Sequence, residues 1–147
     1  MFVESKSDVW GFKLGKSNKG LGKSKKTINM KSYRDLIVWQ KSMSWVTLVY
    51  SLTSKIPESE KFGLISQIRR SSVSIPSNIA EGYGRNYKKD YSRFLQIARG
   101  SLFECQTQIE IAINLDFILR EDCIEINDLS IEIEKMLNSL INKLSEN

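Results

Sequence analysis

Residues 67–85 read QIRRSSVSIPSNIAEGYGR, and this segment narrows the choice of fold more than any other. Leu64, Ile65, Ile68, Ser72, Ile75 and Ile79 recur at steps of three and four, which places one apolar stripe along a helix. Pro76 falls inside that stripe, where it lacks the amide that a helix interior uses and crowds the preceding turn. The spacing continues on both sides of the proline, so one kinked helix is expected rather than two. Gly82 and Gly84 are expected to stop it by supplying left-handed conformations.

The same period organises the rest of the chain. Ser32, with Asp35 three residues on, is placed to cap a helix over residues 33–56 whose inner stripe is Leu36, Trp39, Met43, Val46 and Tyr50. Pro57 ends it, and the next helix is expected to open near Ser59 with Glu60 in its first turn. A third helix is expected over residues 88–119, with Phe94, Ala98, Leu102, Cys105, Ile109 and Ile113 inward and a length of roughly 45–50 Å. A fourth covers residues 121–144 with Leu129, Ile133, Met136, Leu140 and Leu144. Short connections between four amphipathic helices imply an all-α, antiparallel up-down four-helix bundle over residues 30–147.

Residues 1–29 have a different character. They carry seven lysines against Glu4 and Asp8, which equals the +5 net charge of the whole chain. With four glycines and little apolar surface, they are expected to form a disordered basic tail, and Met30 is a candidate start of translation. No apolar block suits a signal peptide or a membrane span. Two cysteines without CxxC spacing fit a reducing compartment, so a cytoplasmic protein is expected. The remaining charge is polarised: residues 30–104 hold twelve Lys/Arg and six Asp/Glu, residues 105–147 three and nine. One half suits phosphates, or the two halves complement one another within the bundle or between subunits.

Catalysis finds few instruments here. There is no histidine, which removes the commonest general base and zinc ligand, and with it the Glu-x-x-His pairs of a bundle metal site. No metal or cofactor is expected. GKSNKG at residues 15–20 lacks the lysine-serine ending and the strand and helix of a phosphate loop. Glu81, Glu104 and Glu110 have the default roles of ion pairing or a solvated face. Cys105 belongs to an inner stripe, and Cys123 has no evident role. Ser77 has no base to activate it, and with Asn78 it suits the backbone groups freed by Pro76. The chain is therefore expected not to be an enzyme.

Four linked segments, YRDLIVWQKSM (33–43), LTSKIPESEKFGL (52–64), SQIRRSSVSIPSNIAEGYGR (66–85) and FLQIARGSLFECQTQI (94–109), resemble the 23S ribosomal RNA intervening-sequence protein family. Its most specific part here is the run from Ile75 through Pro76, Ser77, Asn78 and Glu81 to Gly82. The resemblance implies a four-helix bundle assembled as a ring-like homopentamer. It also implies kinship with the accessory subunit of diversity-generating retroelements, which binds a reverse transcriptase and nucleic acid.

Arg69, Arg70, Arg85, Lys88, Lys89, Arg93 and Arg99 are the main basic concentration of the bundle, with Tyr83, Tyr87 and Tyr91 interleaved. Guanidinium groups suit phosphate and tyrosine rings suit exposed bases, so these are the candidate RNA or DNA contacts. The same residues also suit structural roles, with Arg69, Arg70 and Glu81 in ion pairs and the tyrosines packed at helix ends. Three functions follow: a nucleic-acid-associated oligomer, a protein-binding adaptor such as a reverse transcriptase accessory subunit, or a purely structural oligomer.

Overall fold

The computed structural model describes residues 29–146, so the basic tail expected over residues 1–29 lies almost wholly outside the described residues. Four helices follow in order: α1 Ile37–Thr53, α2 Leu64–Tyr83, α3 Lys88–Asn114 and α4 Ile124–Ser145. Each packs on the next and α4 returns to α1, with α2 and α3 sharing the most extensive contact. This is the antiparallel up-down bundle that the helical period implies, and no strand occurs among the described residues.

The helix starts differ from expectation for local reasons. Ser32 and Asp35 do form a capping box, but on a single 3-10 turn, Tyr33–Asp35. Leu36 then adopts an extended conformation and is fully buried, so α1 begins only at Ile37. Its buried stripe is Val38, Ser42, Trp45, Val49 and Leu52, whereas Met43 and Tyr50 are 44% and 42% exposed. Two stripes in α1 obey the same spacing, and the core takes the one interrupted by a serine. Ser42 is tolerated there because its hydroxyl donates to the Val38 carbonyl at 2.6 Å. Trp45 donates its indole N–H to the Ile126 carbonyl at 2.9 Å, tying α1 to α4 through a buried bond.

At the next corner α1 ends at Thr53, and Pro57 precedes a 3-10 turn, Glu58–Glu60. Glu60 lies outside α2 and acts from there, accepting the Leu64 amide at 2.9 Å. Its negative charge still meets the positive helix end, four residues later than the sequence suggests. α2 runs without interruption through the buried Pro76. Its end also departs from expectation: Gly82 is helical, and the cap Gly84 has a right-handed φ of −75°. Gly82 is required for space instead. A Cβ there would lie 2.7 Å from Phe94 Cβ and 2.9 Å from Tyr91 Cδ2, because α3 passes directly over it.

α3 stops at Asn114, not Leu119, and its 27 residues span about 40 Å. Asp116 turns the chain with φ 58°, while the Phe117 amide bonds to Ala112 O at 3.0 Å and the Asp116 amide to Ile113 O at 2.9 Å. These bonds form the paired closure that usually has glycine at its left-handed position. Leu95, Ala98, Leu102, Cys105, Ile109 and Ala112 are buried, and Phe94 and Ile113 sit at the margin. A 3-10 turn, Arg120–Cys123, leads into α4, whose core residues include Ile126, Ile133, Leu137, Leu140 and Leu144. Leu129 and Met136 pack at its edge, and Cys123 is buried rather than incidental.

Small residues line the α2–α3 seam. Ser71 donates to Gln108 Oε1 at 2.7 Å, Ser74 and Ser101 share a bond of 2.9 Å, and the Cys105 thiol points at Ile68 O at 3.5 Å. Overpacking such a seam should be felt at once. Gly82→Ala is expected to lower stability by about 1–3 kcal/mol. Gly100→Ala, on exposed helix with no atom within 4 Å of the added methyl, should instead raise it by about 0.5–1 kcal/mol. Denaturant midpoints of the two variants would check both signs.

Candidate nucleic-acid interface

Six of the seven candidate cations divide between the two ends of the bundle, and Arg99 lies midway along α3. Arg69 and Arg70 lie in the first half of α2, near the α1–α2 corner, whereas Arg85, Lys88, Lys89 and Arg93 lie around the α2–α3 corner. From Arg70 to the end of α2 at Tyr83 the helix rises about 20 Å, so one continuous cluster does not exist.

Several of the seven are engaged within the bundle. Arg69 donates from Nε to Thr53 Oγ1 at 2.9 Å and holds its guanidinium 4.6 Å from the Tyr50 ring centroid, bracing α2 against α1. Arg99 donates to Asn138 Oδ1 at 2.8 Å, tying α3 to α4. Arg85 pairs with Glu81 at 3.0 Å, one turn back, and lies 4.7 Å from the Phe94 ring centroid. The structural alternative is thus met in a changed form: Glu81 pairs with Arg85, and neither Arg69 nor Arg70 joins it. Lysines of α1 and the corner after it use up part of the acidic half, Lys41 on Glu132 at 2.6 Å and Lys55 on Asp122 at 2.8 Å. The Lys55 hydrogen bond holds the Asp122 carboxyl below the usual carboxylate range.

Arg70, Lys89 and Arg93 are exposed and have no hydrogen-bonded or ionic partner among the described residues. Lys89 and Arg93, one turn apart at the start of α3, line a groove of 610 Å³ with Lys88, Ser92 and Gln96 and with Leu144 and Ser145 from the end of α4. Asp90 is the one acid in its lining among the described residues. The positive end of the α3 dipole adds to the field there.

The neighbouring motif residues are structural. Pro76 lacks the amide that would reach Ser72 O. Ser77 donates to Val73 O at 2.8 Å, and Asn78 to Ser74 O at 2.8 Å and Ser74 Oγ at 2.9 Å. They reinforce the carbonyls that follow Ser72 rather than replacing the lost bond. Tyr83 and Tyr91 pack edge to face at 6.3 Å, with the Tyr91 hydroxyl buried and without a hydrogen-bond partner among the described residues. Burial pushes the Tyr91 phenol far up, with Tyr83 adding to the shift. These two rings are therefore withdrawn as base-stacking candidates, and Tyr87, 72% exposed, remains.

One aromatic group escaped the sequence analysis. Phe62, 92% exposed, stands on the corner before α2. Tyr50, Lys61, Ile65, Arg69, Arg70 and Val73 join it around a second groove of 620 Å³. The available signal was an aromatic residue placed between a lysine and a glycine, outside any helical period.

Nothing resembling an acid–base pair forms among the described carboxylates. Glu104 accepts from Gln108, and Glu110 is held by both terminal nitrogens of Arg120, whose hydrogen bonds keep it below the usual carboxylate range. No group of three or more metal-ligating side chains converges among the described residues. No helix among them is long and apolar enough to cross a membrane.

The fold and its surface thus define a helical bundle with cationic grooves at two corners. The chain belongs to the 23S rRNA-intervening sequence protein family, whose profile matches residues 34–139. It is similar to a protein of unknown function from the S23 ribosomal protein family of Bacteroides thetaiotaomicron, solved at 1.70 Å. The two share 32% identity with a TM-score of 0.66, over 71% of this chain and 98% of that one. No curated protein matches the chain.

The thiols are poor nucleophiles. Burial pushes Cys105 up to about 12 and also raises Cys123. Above the ordinary thiol value of 9.0 the unfolded chain releases the Cys105 proton while the folded chain keeps it to about 12, so stability should fall across that window. Denaturation midpoints followed from neutral pH to about 11 would show the fall, and Cys105→Ala should make it shallower, with Cys123 and Tyr91 supplying the remainder.

Proposed function

We propose that the protein is a non-catalytic, nucleic-acid-associated oligomer that holds RNA or DNA through phosphate contacts at the start of α3. The observation that carries this reading is the pair Lys89 and Arg93, exposed, one turn apart and left without an acidic partner among the described residues. Cations already held by Glu81, Glu132, Asp122 or Asn138 would have to break a contact first; these two are ready for phosphate. The family name, which refers to ribosomal RNA genes, agrees with a nucleic-acid setting.

Self-assembly is favoured by a separate feature. Ile97, Phe103, Ile111 and Leu115 expose apolar surface along the outside of α3, in a bundle whose core is already complete. The homopentamer implied by the sequence resemblance would cover such a face. The same surface suits the alternative of a protein-binding adaptor, for which a reverse transcriptase is the partner that the resemblance suggests.

The test is fluorescence anisotropy of labelled structured RNA and duplex DNA with the full chain across a salt series. Binding should weaken steeply with salt, and Lys89→Ala/Arg93→Ala should lower the log–log slope by about 2 and the affinity on the order of tenfold. The tail lysines are common to both proteins, so the difference reports the groove. Absence of binding at about 50 mM salt, or an unchanged slope in the double variant, would overturn the reading.

A further inference from the structure

We infer that the groove at the α1–α2 corner, built by Tyr50, Lys61, Phe62, Arg69 and Arg70, stacks an unpaired base of a single-stranded nucleic acid. This rests on the nucleic-acid function proposed above and names the form of ligand it takes. Three features of the groove converge on a planar, anionic guest.

The first is its charge. Among the described residues Lys61, Arg69 and Arg70 line the groove and no carboxylate does. Glu58 pairs with Lys61 only loosely, at 3.8 Å with both side chains well exposed, so it neutralises little. The second feature is the set of flat surfaces. The Phe62 ring is 92% exposed beside the Lys61 ammonium, which lies 5.8 Å from its centroid. In the same groove the Arg69 guanidinium is fixed against the Tyr50 ring and held in orientation by Thr53 Oγ1. A guanidinium stacked on one face still offers its edge and opposite face to a second planar group. The third is that Arg69 has already been ordered by Tyr50 and Thr53, so a guest meets a prepared surface rather than a free side chain.

A bare phosphate would leave Phe62 unused, and a regular duplex keeps its bases stacked inside, away from a ring on a corner. A single strand brings both groups, with phosphate for Arg70 and Lys61 and a base for the Phe62 and Arg69 planes. The competing occupant is the acidic α4 of a second copy, which would satisfy the charges and cover Phe62 without using flat surfaces on its own side.

The experiment measures binding of the full chain to single-stranded oligouridylate and oligothymidylate and to the matching A·T duplex, with sedimentation velocity in parallel. Phe62→Ala should weaken single-strand binding on the order of tenfold, leaving duplex binding and the salt slope unchanged. Phe62→Trp should restore it. The exposure of Phe62 makes both variants compatible with the fold. If Phe62→Ala leaves single-strand binding intact while Lys89→Ala/Arg93→Ala reduces it, the stacking site is overturned and the phosphate groove stands. If Phe62→Ala changes the sedimentation coefficient instead, the groove is a contact between copies and the inference is overturned. Failure of the unaltered protein to bind any of the three probes overturns both.

Discussion

Helices α2 and α3 approach closely because serine, alanine, cysteine and glycine stand between them, and the remaining geometry follows from that approach. Ser71, Ser74, Ala98, Ser101, Cys105 and Gly82 keep the side-chain layer thin along the seam. Each buried hydroxyl there must be bonded or it would cost about 1–3 kcal/mol, and the seam arranges this internally through Ser71 to Gln108 and Ser74 to Ser101. Polar groups thus specify the register that apolar packing alone would leave loose, since a slip by one residue would orphan both pairs. At the end of the seam Gly82 lets Tyr91 and Phe94 close over α2, and the chain turns into α3 within four residues. The cationic groove of Lys89 and Arg93 begins at that turn, so its position is set by the seam.

This dependence explains which parts were legible in the amino-acid order. Four helices and their up-down connection were legible because long amphipathic segments have nowhere else to bury their apolar faces. The face of α1 was not, because Trp39, Met43, Val46 and Tyr50 obey the same period as Val38, Trp45, Val49 and Leu52. The observed face is the one that brings the Trp45 indole to the Ile126 carbonyl, a partner on α4 that the α1 sequence does not announce. The end of α3 was hidden because Asp116 occupies the left-handed position where glycine is the usual marker. Gly82 was visible as a glycine but its purpose was not: its neighbours Tyr91 and Phe94 are local to α3, and nothing in α2 announces them.

The basic residues show the same limit. Each was readable as a cation, yet Arg69 sits near the start of α2 and Arg93 near the start of α3, and only the fold decides which share a groove. It also decides which are free. Lys41 and Lys55 meet Glu132 and Asp122 of the acidic final third, at exposed positions where each pair contributes about 0–1 kcal/mol. Their larger effect is to neutralise the α1–α4 side of the bundle, so the positive potential left over gathers on α2 and at the start of α3. A chain whose bundle region carries no net charge still has a cationic surface, because the pairing is uneven.

Two cationic grooves at separate places on the bundle, one on α2 and its preceding corner and one on α3 and the end of α4, constrain any common ligand by length. A compact anion occupies one groove and gains nothing from the other. An extended polyanion reaches both, and the second contact then forms at the effective concentration set by the span between them. Assembly around a closed symmetry axis would repeat the pair in each subunit, which multiplies contacts that are individually weak and screened by salt. Affinity in such an arrangement comes from the number of grooves filled at once rather than from any one arginine. On the function proposed above, a surface of this kind would favour extended strands over small phosphates.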